Sequence, residues 1–271
     1  MEARLQLRVQ RYGWDAAAVH YDDAWAALLT EAQLRTVEAA DLAPGHDVIE
    51  TACGSGMVTE MIARRVGPRG RVMATDLSEK MVRASAKRCT AAGYTNVELA
   101  RMGAETLEVP DAAFDRAICA LGLMYVPEPC IALDRVRRAL RPGGRIAVLV
   151  WGERRKCGWA EIFPITDAEV KSETCPLFFA LGTPGALSIE MERAGFREPR
   201  EHRLSTLMHF PDGESLLRAV IDGGAVALAA RRFSPETRTR VDGAFLESVD
   251  AYRTSEGYDI PGEFVVATAI K

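Results

Sequence analysis

The sequence has no run of apolar residues approaching the length of a membrane span. Its first ten residues, Met1 to Gln10, are charged and lack the apolar core of a secretory leader. A cytoplasmic chain with no membrane segment is expected. Metal-binding spacing is also missing. None of the six cysteines, at positions 53, 89, 119, 130, 157 and 175, forms a C-x-x-C pair, and with only four histidines no Cys/His cluster has zinc spacing. The reading is therefore no metal site, and free thiols in a reducing compartment. A strong charge of one sign is lacking too. The net charge is −4, so nothing provides the general phosphate attraction on which nucleic-acid binding rests. The local cluster Arg135, Arg137, Arg138 and Arg141 falls at a helix end, where cations suit the helix dipole. No internal repeat or low-complexity tract is present.

What is present is an ordinary globular mixture, 48% hydrophobic and 27% charged, over 271 residues, enough for one large α/β domain with a cap. Trp25, Leu28, Leu29 and Leu34 recur at helical spacing within Trp14 to Val37. Short apolar strands then alternate with helices. The strands are His46–Glu50, Arg71–Thr75, Asn96–Arg101, Phe114–Ala120 and Arg145–Val150. The helices carry Val58, Met61, Ile62 and Val66, then Met81, Val82 and Ala86, then Ile131–Leu140. Such alternation means parallel β-α units with both sheet faces covered, a doubly wound α/β fold. The rhythm breaks after Trp151. Residues 152–187 read as irregular and are followed by a helix at Ser188–Ala194 and a strand at His202–Phe210. A mostly helical stretch covers Asp212–Thr254, and a closing strand spans Phe264–Ile270. The chain divides into cap helices at 1–40, a core at 41–151, and a second cap with the last strands at 152–271.

The loop Glu50-Thr51-Ala52-Cys53-Gly54-Ser55-Gly56 follows the first strand, where doubly wound sheets bind ligands and where glycines let a ligand approach the backbone. Asp76 ends the second strand, where a carboxylate accepts both hydroxyls of a ribose. Together they point to a nucleoside-containing cofactor. A dinucleotide site would continue to a third glycine, but that position is Thr59, and Glu50 would repel a pyrophosphate while suiting an ammonium group.

Val48 to Gly56 resembles the first cofactor motif of class I S-adenosylmethionine (SAM)-dependent methyltransferases, nearest the ubiquinone/menaquinone C-methyltransferase-like branch. The resemblance continues through Asp76-Leu77-Ser78 and Met81, Gly103 to Leu107, Pro110 to Asp115, and Leu140 to Arg145, covering residues 40–151. It implies a seven-stranded, mostly parallel, Rossmann-like sheet whose antiparallel seventh strand, Phe264–Ile270, lies beside the fifth. It implies SAM as cofactor and S-adenosylhomocysteine as product. By the same resemblance Glu50, Ala52 and Gly54, with Gly56 closing the loop, line the methionine and ribose side. Asp76 binds the ribose hydroxyls, Leu77 packs on adenine, and Met81 is also counted among the cofactor-binding residues. Ala104 offers its N–H to adenine with Glu105 beside it, and Ala120 and Leu121 form the floor. Gly103 departs from the pattern, since many relatives carry an Asp there that contacts the adenine amino group.

The cap segments supply Trp14, Trp25, Phe163, Phe178, Phe179, Phe210 and Phe233, a set that suits a pocket for a small apolar or aromatic molecule. Gly223-Gly224 reads as a hinge for a lid. An oxygen or carbon acceptor needs a proton removed, and the candidates are His20, Tyr21, Tyr125 and His209. None declares itself as the base. The expected function is methyl transfer to O, C or N of a small apolar molecule. A SAM-binding protein without methyl transfer and an NAD(P)-dependent oxidoreductase are the alternatives. The expected partner is a small-molecule substrate, with no nucleic acid and no membrane, and a homodimer is left open.

Overall fold

The structure, a computed structural model, describes residues 3–170, 175 and 177–271. Two helices, α1 (Ala3–Ala17) and α2 (Tyr21–Ala39), precede the sheet. Then come β1 (Asp47–Thr51), α3 (Met57–Val66), β2 (Arg71–Asp76), α4 (Glu79–Ala91), β3 (Val97–Arg101), β4 (Phe114–Ala120), α5 (Pro129–Ala139) and β5 (Leu140–Trp151). All but the first residue of β1 and of β2 is buried, because helices cover both faces of the sheet. α6 (Ile162–Val170), α7 (Ala186–Arg193) and β6 (Arg197–Phe210) follow. The last elements are α8 (Gly213–Leu217), α9 (Ala227–Ala230), α10 (Pro235–Ser248), β7 (Arg253–Thr254) and β8 (Gly257–Ile270).

The sheet order is β3-β2-β1-β4-β5-β8-β6, with β7 paired to β8. This is the expected mostly parallel, doubly wound sheet. Its antiparallel strand is β8, whose half from Phe264 to Ile270 pairs with β5 as expected. Its other half runs on alongside β6 to Tyr258↔Phe210, and β7 adds a two-residue hairpin as an eighth strand. Register positions the site. Thr51 lies beside Thr75 of β2 on one side and Cys119 of β4 on the other, so the loops after β1, β2 and β4 emerge together at the carboxyl ends.

Several boundaries differ from expectation for identifiable reasons. α1 starts at Ala3, well before Trp14. It buries Gln6 and Gln10 and exposes Leu5 and Tyr12, so the residues it turns inward are not the ones an apolar pattern would pick. β6 begins at Arg197, since an edge strand tolerates the charged segment Arg197–Glu201. The stretch expected to be irregular holds α6, with residues 171–174 and 176 outside the described set. Gly223-Gly224 has a packing reason. A π turn at Arg218–Asp222 brings the Ala219 and Gly223 carbonyls onto the Trp25 indole N–H at 3.0 and 3.1 Å. A Cβ on Gly224 would lie 2.3 Å from the Val220 carbonyl oxygen.

Candidate active site

The loop after β1 alternates left-handed residues, with φ of 56° at Ala52, 55° at Gly54 and 88° at Gly56. Glycine tolerates this, whereas Ala52 is strained there, a condition found mostly at functional sites. Asp76 ties the loops together. Its Oδ2 accepts from Gly54 N–H at 2.9 Å and its Oδ1 from Ser78 N–H at 2.8 Å. Ser78 caps α4 through Met81 N–H, and its hydroxyl donates to Asp15 of α1 at 2.6 Å, which fastens the cap helix over the loop. Burial, opposed by these backbone hydrogen bonds, pushes the Asp76 carboxyl up to about 6.

A cleft opens at these loops, with about 720 Å³ of free space counted out into solvent. Of the residues read as cofactor-binding, Ala52, Gly54, Asp76, Leu77 and Met81 line it from the first half of the sheet. Gly103, Ala104, Glu105, Ala120 and Leu121 line it from the other loops. Glu105 Oε1 accepts from Glu128 N–H at 2.9 Å, while its Oε2 is buried without a partner among the described residues, a free acceptor at the wall.

Two of the expected residues stand behind the wall. Glu50 is buried beneath the loop, its Oε2 accepting from Thr59 Oγ1 at 2.6 Å, and burial pushes its carboxyl up to about 8. Gly56 faces α4, where a Cβ would meet Ser85 Oγ at 2.5 Å. Both shape the loop without lining the cavity. Leu7, Gln10, Met102, Gly122 and Val126 also line it and were not read from the sequence. Gly122 gave a signal only in three dimensions, because a Cβ on it would lie 2.2 Å from Ala52 Cβ.

A second, narrower cavity adjoins the first, with about 450 Å³ of free space counted out into solvent. Trp14, Tyr21, Leu121 and Tyr125 line both, so they form the shared wall. Leu121 also adopts a left-handed φ of 58°, held by its N–H to Leu149 O at 2.7 Å. The rest of the second cavity is apolar and aromatic, with Trp25, Trp151, Trp159, Phe163 and Phe178 prominent. Edge-to-face contacts fix these rings, such as Tyr125 to Phe178 at 5.4 Å and Trp151 to Trp159 at 4.9 Å. Phe179 stands behind Phe178 at 4.7 Å. No carboxylate, histidine or cation lines this cavity among the described residues.

The four candidate bases separate. Tyr21 and Tyr125 stand on the shared wall, and burial raises both phenols well above their ordinary value. At neutral pH they are neutral hydrogen-bonding groups. His20 is exposed at the start of α2, and His209 is exposed on β6, 2.8 Å from Asp259 across the strand pair. Neither histidine lines either cavity. Phe210 is buried and Phe233 half-buried, both outside the cavities. Among the described residues no group of three or more His, Cys, Asp or Glu is placed to hold a metal ion.

The fold is the Rossmann-like, mostly parallel α/β sheet that the sequence led us to expect, with its cavity at the carboxyl ends of the strands. Residues 48–144 match the family described as methyltransferase domain. Over 114 residues the chain is 39% identical to a ubiquinone/menaquinone biosynthesis C-methyltransferase of Hydrogenovibrio crunogenus, 42% of this chain and 45% of that protein. Over 119 residues it is 34% identical to a demethylmenaquinone methyltransferase of Listeria monocytogenes, 44% of this chain and 50% of that protein. The chain thus spans about half the length of these curated relatives. In overall fold it is similar to the YcgJ protein of Bacillus subtilis, with TM-score 0.62 at 14% identity over 89% of this chain and 98% of that one.

Proposed function

We propose that the chain transfers the methyl group of SAM to a small, uncharged-to-anionic, apolar or aromatic molecule, acting in the cytoplasm. The observation that carries this reading is the shared wall: a polar-lipped cofactor cavity and a largely apolar, aromatic cavity meet at Trp14, Tyr21, Leu121 and Tyr125. The residues present fit the cofactor. Asp76 has lone pairs left for ribose hydroxyls, Glu105 Oε2 is a spare acceptor beside Ala104, and a Cβ on Gly54 would meet nothing, so backbone is open to a ligand there. When bound, SAM supplies an electrophilic methyl on a sulfonium. The aromatic walls orient the acceptor and exclude water, and an in-line displacement gains chiefly from such positioning. Tyr21 and Tyr125 hydrogen-bond and align the acceptor without removing a proton. The acceptor therefore arrives as its own nucleophile, an amine or an already ionised oxygen or carbon.

We also read the chain as one domain, with cap segments 1–40 and 152–271 closing a core at 41–151. The six free cysteines and the lack, among the described helices, of one long and apolar enough to cross a membrane are compatible with the cytoplasm. The test is a mass-spectrometric screen of phenols, hydroquinones and amines with isotope-labelled SAM. A labelled product from an apolar acceptor supports the reading. SAM binding with no product from any of them, or better methylation of nucleic acid or folded protein, overturns it.

A further inference from the structure

α1 has two working faces. Its inner face supplies Leu7, Gln10 and Trp14 to the cavities, and Asp15 anchors its end to α4. Among the described residues its outer face is open to solvent. There Leu5 is 40% exposed and Tyr12 50%, and Val19 in the turn that follows is 67% exposed. Arg4 and Arg8 are exposed on the same side, and Arg11 lies over the Tyr12 ring at 5.5 Å. Successive α-helical residues step by about 100°, which gathers Arg4, Leu5, Arg8 and Tyr12 within roughly a third of the circumference. Among the described residues none of the three arginines has an ion-pair partner, although most arginines elsewhere on this surface do. Arg231 and Arg232 extend the basic surface. They follow α9, which packs on α1 at Gly13, and Arg231 reaches the Ala16 carbonyl oxygen at 3.5 Å. A cationic face on a chain of net charge −4 is a local arrangement, not a consequence of composition.

We propose that this outer face of α1 docks on an anionic lipid surface, so that the acceptor reaches the apolar cavity from the membrane interface. Charge complementarity selects the occupant. A second copy would bring arginine against arginine, whereas anionic headgroups neutralise the arginines while Leu5, Tyr12 and Val19 enter the headgroup–acyl boundary. Arginine stems and tyrosine rings suit that boundary, being apolar along their length and polar at the tip. The arrangement also fits an apolar acceptor, which concentrates in bilayers and would otherwise have to cross water to reach its cavity. In this the inference rests on the proposed function. Docking of this kind needs no spanning segment.

The test is co-sedimentation of the full chain with vesicles of phosphatidylcholine alone and of phosphatidylcholine with one third phosphatidylglycerol. No SAM or acceptor is present, so the outcome is independent of whether the chain methylates anything. The anionic vesicles should capture the protein and the neutral ones should not, with capture weakening as salt is raised. The double variant R4Q/R8Q should bind the anionic vesicles on the order of twentyfold more weakly, each arginine near such a surface contributing about fivefold. L5S/Y12S should also weaken capture at unchanged charge. SAM binding measured separately should be unaltered in both variants, which shows that they are folded. Equal capture by both vesicle types, no capture, full capture of R4Q/R8Q, or tighter binding to a single-stranded oligonucleotide than to anionic vesicles would each overturn the proposal.

Discussion

Thr59 Oγ1 donates to Glu50 Oε2 at 2.6 Å, joining the first turn of the helix after the glycine loop to the end of the strand before it. The position where a dinucleotide site needs a third glycine is here the position that satisfies a buried carboxyl. The loop is thus clamped from beneath by Thr59–Glu50 and from the side by Asp76, and its strained Ala52 is held between. The absence of the third glycine is a requirement of this loop, since glycine would leave Glu50 without its donor.

Glu50 should make the apo-protein less stable as the pH rises. Its carboxyl titrates at about 8 in the folded chain against an ordinary 4.5. Below 4.5 both folded and unfolded chains hold the proton and nothing is lost. Between 4.5 and 8 only the folded chain holds it, so unfolding releases a proton and stability falls through that window. Glu50→Gln has no such proton, so urea titrations from pH 5 to 8 should show the variant gaining on the parent steadily. Thr59→Val, which leaves the carboxyl oxygen unpaired, should cost about 1–3 kcal/mol. Parallel pH curves for parent and Glu50→Gln would sink the assignment.

Asp76 should govern cofactor affinity, and with a titration of its own. Raised to about 6 by burial, its carboxyl becomes protonated as the pH drops below that value and loses acceptor capacity for the ribose. SAM affinity measured by calorimetry should therefore decline below about pH 6. Asp76→Ala should bind at least about tenfold more weakly, on the order of 1.5–3 kcal/mol for bonds to a charged group. Asp76→Asn should bind weakly with no pH dependence between 5 and 7. A dissociation constant indifferent to all three changes would reduce Asp76 to a strap between two loops.

Gly122→Ala should damage the cofactor cavity more than the fold. Its backbone is ordinary, and the constraint is contact, because the added methyl falls 2.2 Å from Ala52 Cβ. Either the β1 loop or the β4 loop must move. Overpacking of this kind costs about 1–3 kcal/mol in stability, and the displaced loop should lower SAM affinity by tenfold or more. A variant that binds SAM like the parent would show that the loops yield without consequence.

The sheet was legible because its signal is local. Apolar runs such as Arg145–Val150 are buried on both faces, and each is followed by a glycine or a carboxylate that marks the ligand edge. Ten of the residues read as cofactor-binding line the cavity at these loops for the same reason, lying within a few residues of strand ends. What escaped depends on neighbours far away in sequence. Glu50 reads as a ligand-facing acid until Thr59 is seen to take its carboxyl, and Gly122 is unremarkable until Ala52 is beside it. Histidine chemistry misled: His20 and His209 were chosen by residue type, and the fold leaves both in solvent. α1 escaped because its inward face is partly glutamine.

The acceptor, not the enzyme, should set the pH dependence of methyl transfer. No carboxylate or histidine lines the second cavity among the described residues, and the two phenols on its wall are raised by burial, so neither can take a proton near neutrality. A nucleophile that arrives ionised meets a cationic sulfonium, and the charges cancel as the methyl moves, which a dry, low-dielectric cavity favours. In a series of phenols of graded acidity, single-turnover rates should rise with pH at each acceptor's own pKa. Tyr125→Phe and Tyr21→Phe should keep that profile and lose about tenfold or less in rate, the scale of one neutral hydrogen bond of about 0.5–1.5 kcal/mol. Trp159→Ala should instead raise KM for the acceptor while SAM affinity stays unchanged, since Trp159 lines only the second cavity. A single enzyme pKa shared by every acceptor, abolished in Tyr125→Phe, would make Tyr125 the general base after all and require its phenol to titrate far lower than its burial allows.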